Sequence, residues 1–287
     1  MDASIFKSQE IHEFILRSLQ EDIGNGDHSS LAAIPAGTKG KAQMIIKEEG
    51  VLAGVELAET VFHISDPELN VQTLLKDGEA VQYGQIALTV EGSVHSILRT
   101  ERLVLNLIQR LSGIATRTHQ MNQLIAGTSC RLLDTRKTTP GLRLLEKWAV
   151  KTGGGENHRI GLYDMVMLKD NHNDYAGGIT KAVANTVAYL KENKLDLKIE
   201  VETRNIKEVK EALATGHVDR IMLDNFSPEA MKEAVALIGG RVETEASGGI
   251  TEANIRAYAE TGVDFISVGA LTHSVKSLDI SLKEVKA

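Results

Sequence analysis

Of 287 residues, one is cysteine, one is tryptophan and four are proline, and aromatic residues make up only 4%. A lone Cys130 excludes an intramolecular disulfide and fits a reducing compartment, where a small buried hydrophobe is its expected role. So few aromatic rings exclude a base-stacking platform for single-stranded nucleic acid. No run approaches the roughly 18 apolar residues that mark a membrane span. Positive charge is also in the minority. The 32 lysines and arginines face 39 acids, and the net charge of −7 excludes a general nucleic-acid or membrane-surface binder. The opening MDASIFKSQEIHEFILRSLQED carries acids and no long apolar stretch, so a signal peptide is not expected. The expectation is a soluble, cytoplasmic protein with neither nucleic acid nor membrane as partner. Its 42% hydrophobic content allows a substantial core, in one large domain or two ordinary ones.

Periodicity changes along the chain. Ser8 to Asp22 reads as an amphipathic helix with Ile11, Phe14, Ile15 and Leu19 on one face. KAQMIIK, LNVQTLL and QIALTV read as strands separated by turn signals, with GVELAETVF as a short helix between them. Residues 97–127 form a strong helical pattern, and Gly127 is placed as a C-cap. From residue 130 the rhythm becomes strand, helix, strand: CRLLD, YDMVMLK, LKIEVE, DRIMLD, RVETEAS and VDFISVG. Alternation of this kind means a parallel sheet. Glu202, Asp224, Ser247 and Gly269 close successive strands at intervals of 22, 23 and 22 residues. That cadence favours a closed or nearly closed α/β barrel over a doubly wound open sheet.

Barrel active sites lie at the carboxyl ends of the strands. Those ends carry Asp134–Lys137, Lys169–Asn171, Glu202, Asp224–Asn225, Ser247–Gly249 and Gly269–Ala270. One charge after an apolar run marks only where a strand meets water; six such ends in phase mark a site. From Arg131 to His172 eight lysines and arginines face five acids, a cationic island in an acidic chain. Such an island suits a small polyanion, with arginines pairing bidentately to carboxylate or phosphate. KTGGGENHRIG adds His158 and Arg159 behind three glycines, which allow close backbone approach or an anion nest. It fits neither the dinucleotide fingerprint nor the P-loop. The small residues of SGGI and SVGALTHS sit where barrels commonly hold a phosphate. Glu202 and Asp224 have three candidate tasks: binding ribose hydroxyls, holding Mg²⁺, or supporting a cationic transition state.

DTRKTTPGLR, KTGGGENHRIGLYDMVMLKDNH, IEVE, MLDNF, SGGI and VGALTHS, in that order, resemble the quinolinate phosphoribosyltransferase family. The resemblance extends to EDIGNGD and ERLVLNLIQRLSG and covers essentially the whole chain. One departure is His28–Ser29–Ser30, where the family commonly continues with an apolar residue and Thr–Ser. The resemblance implies an N-terminal α+β domain over 1–112 and an incomplete, open α/β barrel over 113–287. The C-terminal tail is a candidate to pack back on the N-terminal domain. It implies the reaction quinolinate + 5-phosphoribosyl-1-pyrophosphate → nicotinate mononucleotide + pyrophosphate + CO₂, with Mg²⁺ and no organic cofactor. It also implies a homodimer or higher homo-oligomer with shared active sites.

By that resemblance Arg102 (from a partner copy), Arg136, Arg159 and Lys169 surround the quinolinate carboxylates, and Thr135, Lys137 and His158 line the same pocket. Glu202 and Asp224 face the ribose and the metal–pyrophosphate. Ser247, Gly248 and Gly249, with Val268, Gly269 and Ala270, hold the 5′-phosphate. Mg²⁺ is held mainly through the pyrophosphate, with Glu202 and Asp224 as further candidates. Lys137, Lys169, Glu202 and Asp224 are the expected catalytic residues. Two alternatives stay open: a phosphoribosyltransferase for another aromatic acid without decarboxylation, and a Schiff-base lyase using Lys169. A non-catalytic phosphate sensor is disfavoured by the number of charges converging on one mouth.

Overall fold

A computed structural model describes residues 3–285. Two compact units interleave along the chain: Met1–His119, Thr139–Gly154 and Leu271–Ala287 form one, and Gln120–Thr138 with Gly155–Ala270 form the other.

The first unit opens with helix α1 (Gln9–Ile23), N-capped by Ser8, whose Oγ accepts the Ile11 N–H, and buries Ile11, Ile15 and Leu19 as the periodicity predicts. Helix α2 spans His28–Ala33. Strands β1 (Lys39–Ile46), β2 (Gly50–Val51), β3 (Asn70–Thr73), β4 (Ala80–Val81) and β5 (Ile86–Ser93) follow, with α3 (Val55–Ser65) between β2 and β3. Asp77 caps α3 by accepting the Gly54 and Val55 N–H groups at 2.6 and 2.9 Å. Helix α4 runs Val94–Leu124, so Gly127, at φ +81°, lies in the turn beyond the helix rather than at its cap.

Helix α5 (Arg143–Thr152) has no counterpart in the sequence expectation, hidden between Pro140–Gly141 and the three glycines. It buries Leu145 and Trp148, with Phe6 edge-on to Trp148 at 4.8 Å between ring centroids. Its Glu146, fully buried, accepts from Arg110 Nε of α4 at 2.8 Å and from the Thr139 N–H at 3.1 Å. Gly153 ends α5 where a Cβ would stand 2.3 Å from Ala115 O. The close backbone approach that this glycine permits is thus to α4, not to a ligand.

The second unit carries β6 (Arg131–Leu133), β7 (Val166–Leu168), β8 (Ile199–Thr203), β9 (Arg220–Asp224), β10 (Glu243–Ser247) and β11 (Phe265–Ser267). All pair in parallel in the order β6-β11-β10-β9-β8-β7. The edges β6 and β7 do not pair among the described residues, so the barrel is open, as the resemblance implies. Helices α6 (Asp170–Ala176), α7 (Ile179–Asn193), α8 (Ile206–Ala214), α9 (Pro228–Ile238) and α10 (Ile255–Ala259) connect the strands, and the four-residue α11 spans Ala270–His273. One further strand, β12 (Ile280–Glu284), pairs antiparallel with β1 and completes a first-unit sheet ordered β12-β1-β5-β3. No helix among the described residues is long and apolar enough to cross a membrane.

Alternation along each barrel strand decides what faces where. Glu200 and Glu202, then Arg220, Met222 and Asp224, then Glu243, Glu245 and Ser247 each share one strand face. The opposite faces carry Ile199 and Val201, Ile221 and Leu223, and Thr244 and Ala246, all buried. One side of the sheet is therefore lined by ionisable groups and the other is mostly aliphatic.

Candidate active site

The carboxyl ends of the six parallel strands gather most of the expected residues at one rim of the second unit, Arg102 and His158 excepted. Asp134 follows β6 and is fully buried. Its carboxylate accepts the Asn157 side-chain amide at 2.6 Å and the His158 N–H at 2.9 Å, while its own N–H donates to Glu156 O at 3.2 Å. The segment Gly155–His158 is thereby laid along β6 and delivers Arg159. Thr135, Arg136 and Lys137 continue from Asp134, and Thr135 Oγ1 accepts the Lys137 N–H at 3.0 Å, tightening the turn that exposes Lys137.

Arg159 is 9% exposed, its guanidinium donating to Met165 O at 3.3 Å and lying 3.6 Å from Met167 Sδ. Burial pushes its pKa down, and the positive charge of Arg136 pushes it further the same way. Arginine remains charged regardless. Two guanidiniums held within each other's field at a strand-end rim make a receptor for an anion with more than one negative oxygen.

Lys169 leads from β7 into α6 and is half exposed. Its N–H donates to His172 Nδ1 at 3.0 Å, and its Nζ lies 3.8 Å from Glu202 Oε2. Burial pushes the Glu202 carboxyl up, against the Asp170 N–H and Lys169, while the Asp224 charge adds to the rise. Glu202 and Asp224 thus sense each other from neighbouring strand ends. Two carboxylates at neighbouring strand ends are the oxygen donors that a hard divalent cation such as Mg²⁺ prefers.

At the end of β9 Asn225 takes φ +56°, in the left-handed region. Its N–H donates to Ser247 O at 2.8 Å and its side-chain amide to Asp224 Oδ2 at 2.6 Å. Gly248 (φ +91°) and Gly249 (φ +63°) make the turn after β10. The Val268 N–H is committed to Leu133 O at 3.0 Å, so it cannot also serve a phosphate. That narrows the expected 5′-phosphate segment after β11 to Gly269 and Ala270.

His158 is placed differently from a pocket-lining residue. It is 7% exposed, its Nε2 lies 3.1 Å from Glu200 Oε2 and 3.2 Å from Glu245 Oε2, and its Nδ1 accepts the Arg159 N–H at 2.7 Å. Burial alone would lower its pKa, but the two carboxylates more than offset that and raise it to about 9. In the singly protonated ring, the Arg159 N–H on Nδ1 leaves Nε2 as the site of the proton. Glu200, Glu245 and Arg220 were not selected from sequence. The signal was the glutamates themselves: Glu200 lies between Ile199 and Val201, and Glu245 follows Thr244 and precedes Ala246, inside strands that are largely buried. Arg102 lies in the first unit, exposed on α4.

Residues 27–112 match the family described as quinolinate phosphoribosyl transferase, N-terminal domain, and residues 114–283 match its C-terminal domain. The chain is 47% identical over 289 residues to quinolinate phosphoribosyltransferase [decarboxylating] 2b of Nicotiana tabacum, covering 96% of this chain and 82% of that one. It is 49% identical over 281 residues to nicotinate-nucleotide pyrophosphorylase [carboxylating] of Arabidopsis thaliana, covering 93% and 80%. The solved structure of NadC from Streptococcus pyogenes superposes with a TM-score of 0.92 at 40% identity over the full length of both chains. With both halves matched to one family and nearly half of its residues shared with named members, the chain belongs to the quinolinate phosphoribosyltransferases.

Proposed function

We propose that this protein transfers the phosphoribosyl group of 5-phosphoribosyl-1-pyrophosphate to the ring nitrogen of quinolinate, releasing pyrophosphate and CO₂ and leaving nicotinate mononucleotide. The observation that carries it is the pair Arg136 and Arg159, two guanidiniums in one field at the barrel rim of a chain in this family. Quinolinate brings two carboxylates, which these arginines and Lys169 hold so that the pyridine nitrogen faces C1′. As the C1′–O bond breaks, positive charge grows on the ribose, and Glu202 and Asp224 stand where it can be stabilised. The nitrogen lone pair forms the new bond to C1′ while pyrophosphate takes the electrons of the old one. The quaternised nitrogen then accepts the electron density left as the neighbouring carboxylate departs as CO₂, and the ring carbon takes up a proton. Lys137 balances charge on the leaving pyrophosphate. Mg²⁺, held by the pyrophosphate with Glu202 and Asp224 as protein oxygen donors, would supply charge neutralisation when bound.

The proposal includes a dimer in which Arg102 of a second copy completes each site. A groove lined by Ile34, Val94, Ile97, Leu98 and Leu282, with Lys41, Glu101, Lys283 and Glu284 also on its walls and Glu101 next in sequence to the exposed Arg102, supports it. A cytoplasmic location belongs to the same proposal, supported by the absence of any pairing partner for the buried Cys130.

The test is one assay: protein, Mg²⁺, phosphoribosyl pyrophosphate and either quinolinate or nicotinate, with CO₂ and pyrophosphate both measured. Equal amounts of the two products from quinolinate are expected. Pyrophosphate release from nicotinate without CO₂ would establish the non-decarboxylating alternative instead. At the phosphate end, a Cβ on Gly248 would stand 2.3 Å from Asn225 Oδ1 and 2.9 Å from its backbone N, at a φ that side chains rarely adopt. Gly248→Ala is therefore expected to cost about 1–3 kcal/mol in thermal unfolding. It should also weaken phosphoribosyl-pyrophosphate binding more than quinolinate binding, and preserved affinity for both would remove the 247–249 turn from the phosphate site.

A further inference from the structure

Below the rim the second unit buries ionisable groups that the reaction as described never touches. Glu200 and Glu245 have no exposed surface. They lie two residues before Glu202 and Ser247 on the same strand faces, one layer deeper in the barrel. Arg220 Nη1 meets Glu245 Oε2 at 3.1 Å, and its Nη2 meets Glu243 Oε2 at 3.0 Å. The Arg131 and Arg220 guanidiniums both lie over the Phe265 ring, 4.1 Å from its centroid. Burying this many charges is unfavourable compared with apolar residues of the same volume. Stability alone therefore does not account for them.

Their contacts run in one direction. Both glutamates approach the same atom, His158 Nε2, at 3.1 and 3.2 Å. The other ring nitrogen, Nδ1, accepts the Arg159 N–H at 2.7 Å, and the His158 N–H is fixed by Asp134 at 2.9 Å. The imidazole is thus held at both ends between a buried acid pair and the backbone of the arginine that follows it. The three side chains also fall within 4.8 Å of one another, a spacing a cation could use. A ligating imidazole, however, normally donates its second ring N–H to an acceptor, whereas here Nδ1 is itself the acceptor. Arg220 already supplies positive charge to Glu245.

We propose that Glu200 and Glu245 are positioning residues for Arg159: they clamp the His158 ring, and the ring, through Nδ1, sets the backbone from which Arg159 reaches the substrate dicarboxylate. The inference rests on Arg159 serving quinolinate, as proposed above.

The test compares Glu200→Met, which keeps length but removes the acceptor, with Glu200→Gln, which restores one acceptor without the charge. In the full-length protein, Glu200→Met is expected to raise the KM for quinolinate about tenfold or more, with the KM for phosphoribosyl pyrophosphate within about twofold. Glu200→Gln is expected to recover most of that loss. Glu245→Gln provides the second variant should Glu200→Met not fold, with an expected rise of about threefold or more in the quinolinate KM alone. Unchanged quinolinate KM values in folded variants, or equal rises for both substrates, overturn the clamp while leaving the reaction intact. Wild-type protein that binds quinolinate in calorimetry without releasing CO₂ overturns the reaction instead, and the clamp is then judged by the same ratios in dissociation constants. Wild-type protein that binds no quinolinate overturns both.

Discussion

Arg136→Ala and Arg159→Ala should each weaken quinolinate binding by about ten- to a hundredfold in calorimetry, with phosphoribosyl-pyrophosphate affinity within about threefold of wild type. The magnitude follows from what each side chain supplies. A charge-assisted contact to a carboxylate contributes about 1.5–3 kcal/mol, and every 1.4 kcal/mol is about a factor of ten. The selectivity follows from where they stand. Arg136 and Arg159 feel each other's charge, whereas Glu202, Asp224 and the glycines after β10 lie at the ends of β8, β9 and β10. A dicarboxylate relieves the repulsion between the two guanidiniums. A phosphoribosyl pyrophosphate bound across the other strand ends does not need that relief. Equal weakening of both ligands in either variant would count against the assignment of the two carboxylates. Lysine at position 136 or 159 should recover only part of the affinity, because a point charge cannot reproduce the planar fork.

How much of this was legible in sequence differs by residue. The strand ends were readable because a parallel barrel strand is a short aliphatic run that stops at a polar residue, and LKIEVE, DRIMLD and RVETEAS all stop that way. Helix α5 was not readable as such. Its RLLEKWAVKT buries Glu146 and Lys147 beside Trp148 while Lys151 stays exposed, so charge alone does not mark which side of the helix meets solvent. Strand β12 was not anticipated because ISLKE is short and pairs with β1, more than 200 residues earlier, a partner that no local signal names. At the site, the residue types at the rim announced their chemistry, but which of them face ligand did not follow from type. His158 sits in a basic segment, and its type and position suggest a pocket-lining role. Only the folded β8 and β10 reveal the two buried glutamates that hold its Nε2. Val268 likewise looked available for a phosphate until the register of β6 and β11 assigned its N–H to Leu133.

The largest recovery of function is expected from mixing two inactive proteins. Arg102→Ala and Lys137→Ala should each abolish turnover alone, since one removes a cation proposed to come from the neighbouring copy and the other removes the cation facing pyrophosphate. After subunit exchange, random pairing makes about half of the dimers hybrids. Each hybrid carries one site with both changes and one with neither, so about a quarter of all sites, and about a quarter of wild-type activity, should return. The arithmetic depends only on Arg102 and Lys137 of different chains sharing a site. If both residues of one chain served the same site, every site in the mixture would remain defective. Copies carrying different affinity tags show whether exchange has occurred. Co-purification of the two tags without regained activity would refute the shared site, and so would failure of the two copies to associate at all. The cross-chain arrangement expected here is the one the family resemblance implies, with Arg102 exposed on α4 and open to a second copy.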